Sequence, residues 1–220
     1  MTIKVIPFLN QKVNYNSIKK KKMKNINYIK KAMIPVTFVA TIFLIASCGF
    51  SQKPNDTKVV AEEQNDERFD NNKLEDDAQF LVNAAEINLE EIQLGQLAQQ
   101  KGGTAQVKEL GKMMEDVHTK SFNDLTALAQ NKMITIPTSS TDDAQDAYQK
   151  LNEKSGNDFD KAYIDMMVSE HKDAIETFED ASTDSNDSDI KNWATVSLPD
   201  LRTHLNHSVD LQNNLTSQNN

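Results

Sequence analysis

A single cysteine, Cys48, excludes any disulfide within the chain and any site built from several thiolates. A bound metal ion in the body of the protein would have to use oxygen, nitrogen or thioether sulfur. Six glycines, five prolines and 6% aromatic residues in 220 leave little material for turns and sheets, and favour a helical class. Acidic residues are missing from everything before Cys48, where nine lysines stand alone. The rest of the chain carries all 33 acidic residues and only fifteen of the 24 basic ones. Such an acidic body argues against nucleic acid as a partner.

No apolar run reaches the roughly 20 residues a comfortable membrane span needs. The longest, AMIPVTFVATIFLIAS, follows the basic stretch KKKKMKNINYIKK and ends at Cys48. Basic, then apolar, then small is the order of a secretory signal. Ile45-Ala46-Ser47-Cys48 resembles the bacterial lipobox, whose cysteine is acylated and becomes the mature N-terminus. Residues 1–47 are therefore expected to be a lipoprotein signal peptide, with Met23 a better-proportioned start than Met1. Cys48 is the expected lipidation site and the link to a membrane. Gly49, rather than Asp, suggests the outer membrane by the enteric sorting pattern, facing the periplasm or the cell surface. Residues 48–75 are polar and almost without apolar periodicity, and are expected to form a flexible tether.

Residues 76–217 change to helical periodicity. Phe80, Ala84, Ile87, Glu91, Leu94 and Ala98 form one stripe. After Gly102-Gly103, with Thr104 as a cap, a second helix carries Val107, Gly111, Met114, His118, Ser121, Leu125 and Leu128. Ile136-Pro137 ends it, and a short helix is expected from Asp142 to Lys154, capped from within Thr138 to Thr141. A third long helix carries Phe159, Tyr163, Met166, Met167, His171, Ala174 and Phe178. The fourth carries Ile190, Ala194, Ser197, Leu201, His204, Ser208 and Leu211, with Pro199 inside it. The expected fold is all-α: an antiparallel four-helix bundle with one short extra helix between its second and third long helices.

Every long helix has a polar misfit in its inward stripe, and counting from the turns puts these misfits within roughly one helical turn of a common height. The candidate constellation is Glu91, Glu115 with His118, Glu170 with His171, and His204 with His207. Glu115-x-x-His118 has the spacing used by carboxylate-bridged di-iron bundles, whereas Met114-x-x-x-His118 and Met167-x-x-x-His171 pair thioether and imidazole, which suits copper(I). Iron and copper both stay open. So does a structural polar layer of hydrogen-bonded groups, with the methionines as core filler. No nucleophile motif or glycine-rich loop points to catalysis.

The blocks FLVNAAEINLEEIQLGQLAQQK, VKELGKMMEDVHTK, FDKAYIDMMVSEHKDAIETFE and SLPDLRTHL resemble, in order and spacing, those of the bacterial domain of unknown function numbered 4142. The resemblance covers about Ala78 to Leu211. It implies a ferritin-like bundle in a secreted or lipid-anchored protein, without an established activity. It also maps the family's Met-x-x-acid-His signatures onto Met114 to His118 and Met167 to His171, and its last histidine onto His204. Val117 departs from the pattern by standing where an acid precedes the histidine. The function expected is that of a non-enzymatic binding or stress-related envelope module, the alternatives being a metal-binding bundle with metal-oxidation activity and a purely structural protein.

Overall fold

The computed structural model describes residues 56–69 and 72–218. They contain six helices and no strand: α1 (Thr57–Asp66), α2 (Asn72–Lys101), α3 (Ala105–Lys132), α4 (Asp142–Asn152), α5 (Gly156–Asp184) and α6 (Ser188–Gln218). No described helix is long and apolar enough to cross a membrane. The signal segment, Cys48 and the first residues of the expected tether lie outside the described residues.

Short turns fold α2 back on α3 and α5 back on α6, giving two helical hairpins, and the hairpins meet through α2 with α5 and α3 with α6. The sequence signals hold for the starts of α3 and α4, whereas α5 starts at Gly156 after Ser155 rather than at Asn157 or Asp158. Thr104 accepts from the Val107 amide, and buried Thr141 accepts from the Ala144 amide, so each satisfies one of the amides a helix start leaves free. Gly95 and Gly111 let α2 and α3 touch. A Cβ on Gly95 would lie 2.5 Å from the Gly111 carbonyl oxygen, and one on Gly111 would lie 2.7 Å from that of Gly95.

Each hairpin turn is gripped by a buried aspartate from the other hairpin. Asp160 of α5 accepts from the amides of Gly103 and Thr104, at 2.7 and 3.0 Å. Asp77 of α2 accepts from the amides of Asn186 and Asp187, at 3.1 and 2.9 Å, and from the Ser185 hydroxyl. These bonds satisfy amides ahead of α3 and α6, and tie the hairpins together at both ends.

Two apolar clusters fill the interior. One is built around Phe80, Leu81, Leu125, Phe178, Ile190 and Trp193, the other around Leu94, Leu110, Met114, Phe159, Tyr163 and Met167. Along each of the four long helices the chain passes from one cluster to the other, and the change falls at Asn88 and Glu91, at His118, at His171, and at His204 with Ser208. All six are buried. A polar layer therefore separates two apolar halves of the core.

The tether expectation is corrected from Asp56 onward. Asp56 caps α1 at the Lys58 amide and also accepts from the Asp142 amide at the start of α4. Lys58 pairs with Glu86, and buried Asn65 exchanges two 2.8 Å hydrogen bonds with the backbone of Thr135. Only Ala61 in α1 is a buried apolar residue. Side-chain hydrogen bonds rather than an apolar stripe hold this helix, which is why periodicity does not reveal it.

Candidate metal centre

The middle layer brings three of the expected residues together. One ring nitrogen from each of His118, His171 and His204 lies within 4.8 Å of the others, and all three side chains are buried. The ring centroids are 5.7, 5.2 and 5.2 Å apart. They come from α3, α5 and α6; α2 contributes Asn88.

Backbone carbonyls fix the proton positions. The Asn88 side-chain amide donates to the Ala84 carbonyl at 2.7 Å, which leaves its Oδ1 to accept from His118 Nδ1 at 3.1 Å. His118 Nε2 then carries a lone pair, is buried, and has no hydrogen-bond partner. His171 Nδ1 donates to the Met167 carbonyl at 3.0 Å, so His171 Nε2 also carries a lone pair and accepts from His204 Nδ1 at 3.1 Å. Metal-binding histidines are commonly oriented in this way, with one nitrogen held by a carbonyl and the other turned inward.

The rings are uncharged at neutral pH. Burial, then the neighbouring imidazoles of His204 and His171, holds His118 well below its ordinary range. Burial and His204 bring His171 down to about 4, and burial with His207 brings His204 to about 4. A neutral imidazole is the form that binds a metal ion. His118 and His204 also line a cavity of about 340 Å³ that has Trp193, Phe178 and Leu201 in its wall and Asp116, Asp124 and Asp200 among its polar residues.

The other expected residues lie elsewhere. Glu115 is turned toward α2, where Gln96 and Gln99 donate to its oxygens at 2.8 and 2.6 Å, and these bonds hold its carboxyl below the usual range. The Glu115-x-x-His118 spacing therefore does not converge. His207 is exposed. Met114 and Met167 are fully buried in the apolar cluster with Leu94 and Phe159.

Glu91 and Glu170 gather instead with Glu90 and Asp173 around a separate cavity of about 150 Å³. Glu91 Oε1 lies 3.5 Å from His171 Nδ1, on the outward side of that ring and too far for a good hydrogen bond. Glu91 pairs instead with the Glu170 carboxyl through a side-chain hydrogen bond. Burial, then Glu170 and Glu90, raises Glu91 well above the carboxylate range. Burial lifts Glu170 to about 8, with Glu90 adding to it, and burial with Glu86 and Asp143 lifts Glu90 to about 7.

Sequence reasoning missed Asn88, Glu90 and the two clasping aspartates. A signal for Asn88 is present in the chain: eleven residues separate Asp77 from Asn88, and eleven separate Asp160 from His171. The two hairpins thus repeat one pattern, with Asn88 in the place of a histidine.

No curated protein and no solved structure matches the chain. A family model does, over residues 62–211, a span that takes in the second half of α1 as well as the blocks read from the sequence. The chain belongs to the family described as a domain of unknown function, DUF4142.

Proposed function

We propose that the protein is a metal-binding module in which His118, His171 and His204 hold one first-row transition ion at the centre of a ferritin-like antiparallel four-helix bundle. The observation that carries this reading is His118 Nε2, an unpartnered buried lone pair facing two other imidazoles. Leaving such an atom dry and unpaired costs about 1–3 kcal/mol, and an ion would remove that cost. Nitrogen pairs in a tetrahedral site stand about 3.4 Å apart, so uptake would draw the rings inward from their present spread. The ion would replace the hydrogen between His171 Nε2 and His204 Nδ1, and His204 would carry its proton on Nε2 instead. Three neutral nitrogens suit zinc and copper(II) more than iron(II).

The module is further proposed to sit in the cell envelope, held by an acylated Cys48 on the outer membrane. Support comes from the basic and apolar leader and from the sequence around the only cysteine.

Zinc titration by calorimetry tests the metal reading. One equivalent bound by the wild type, and affinity at least about tenfold weaker in His118→Ala, is expected. A second reading is favoured by the His171 to His204 hydrogen bond: the layer serves only to fix the register of the helices. That reading predicts no uptake, and a stability kept or raised when the layer is replaced by apolar residues.

A further inference from the structure

An ion held by His118, His171 and His204 has three donors, one short of the four that ions of the zinc class take. The other polar groups of the layer are committed elsewhere. Asn88 gives its amide hydrogen to the Ala84 carbonyl and accepts from His118, the Ser208 hydroxyl donates to the His204 carbonyl, and Glu91 pairs with Glu170 on the outward side of His171. The fourth donor has to come from outside the chain.

A cavity leads to that position. Asn88, His118 and His204 form its buried floor, and His118 brings to it the ring nitrogen that has no hydrogen-bond partner. Phe178, Trp193 and Leu201 give it an apolar, aromatic wall, and Asp116, Asp124 and Asp200 stand exposed at its rim. Its volume of about 340 Å³ is at the small end for a ligand pocket and suits a molecule of one ring.

Charge narrows the class. Three neutral imidazoles leave the ion's positive charge uncompensated in an apolar interior, which favours an anionic fourth donor. The rim opposes the entry of an anion, since three carboxylates stand there against one lysine, Lys120. A weak acid that enters neutral and ionises at the ion meets both demands. Its donor atom bonds to the ion, its proton leaves to solvent, and no oxidation state changes.

We propose that this cavity admits a small aromatic weak acid, of the phenol or aryl thiol class, to the fourth position of the ion. The proposal rests on the three-histidine reading of the site.

Phenol is the probe, added to protein loaded with one equivalent of Co²⁺, whose visible absorption changes when a donor is exchanged. A shift that saturates at one phenol is expected, and in the zinc-loaded protein a change in the fluorescence of Trp193, the only tryptophan of the chain. Benzoate has the same ring but arrives as an anion, and is expected to bind at least about tenfold more weakly. Ser121 and Ser197 are half-buried in the cavity lining, on α3 and α6. Ser121→Phe and Ser197→Phe fill space there and are expected to weaken phenol by about tenfold or more, with Co²⁺ affinity kept within about twofold. Absorption unmoved by phenol, benzoate binding as tightly as phenol, or phenol affinity unchanged in both variants overturns the proposal and leaves the bound ion standing. Absence of Co²⁺ uptake removes the three-histidine reading and this inference with it.

Discussion

His118 and Glu91 are two buried groups whose environments push their protonation in opposite senses. His171 and His204 are held near 4 and His118 well below its ordinary range in the folded chain, against 6.5 when unfolded. Between those values the unfolded state binds more protons, so their contribution to stability is lost as pH falls from about 6.5 toward 4. The carboxyls do the reverse. Glu90 near 7, Glu170 near 8 and Glu91 above the usual range keep protons that the unfolded chain releases above 4.5. Their contribution is lost as pH rises from about 4.5 to 8. Above about pH 7.5 the histidines are neutral in both states and only the carboxyl effect remains. Metal-free protein is therefore expected to lose about 2 kcal/mol of stability between pH 7.5 and 8.5, measured by urea unfolding. Stability that rises across that interval would contradict these protonation states. At this scale the sequence was informative about which helices carry buried polar groups, because an acid or a histidine in an apolar stripe breaks the period visibly. Which of them share a centre was not legible: Glu115 and Glu91 both sit one turn from inward positions, and only the glutamines on the facing helix decide where Glu115 turns.

The hairpins are joined by charges as well as by apolar packing. Asp160 gives both of its oxygens to amides ahead of α3, and Asp77 does the same ahead of α6. Asp160→Ala is expected to cost about 2–4 kcal/mol, because two charge-assisted hydrogen bonds disappear and the Gly103 and Thr104 amides lose their acceptors. Asp160→Asn should cost less, one oxygen being kept. A loss below about 0.5 kcal/mol for the alanine variant in urea unfolding would show that the clasp does not hold the hairpins. The long helices were legible because Gly102-Gly103, Ile136-Pro137 and the capping-rich run from Ser182 to Asp189 punctuate clear 3.6-residue stripes. α1 was not. Its anchors, Asp56 and Asn65, act by hydrogen bonds to segments more than 60 residues away, and such pairings leave no local pattern.

Among the described residues, one layer of polar side chains divides the core into two apolar clusters, and the three-histidine site belongs to that layer. Its depth explains why the protonation of its groups is shifted. The cavity beside His118 and His204 would be the way in for an ion at the proposed site. Presentation on a membrane is proposed from the leader alone, and the expected outcome is specific: wild-type protein partitions with membranes and takes up labelled fatty acid, whereas Cys48→Ser does neither. Membrane retention of Cys48→Ser would contradict the anchor.

The central claim concerns where an ion sits, and anomalous diffraction at the zinc edge from crystals of the zinc-loaded protein tests it most directly. The account predicts one peak at about 2.0–2.2 Å from a ring nitrogen of each of His118, His171 and His204. A protein saturated with zinc but showing no peak there, with the His171 to His204 hydrogen bond intact, would contradict it.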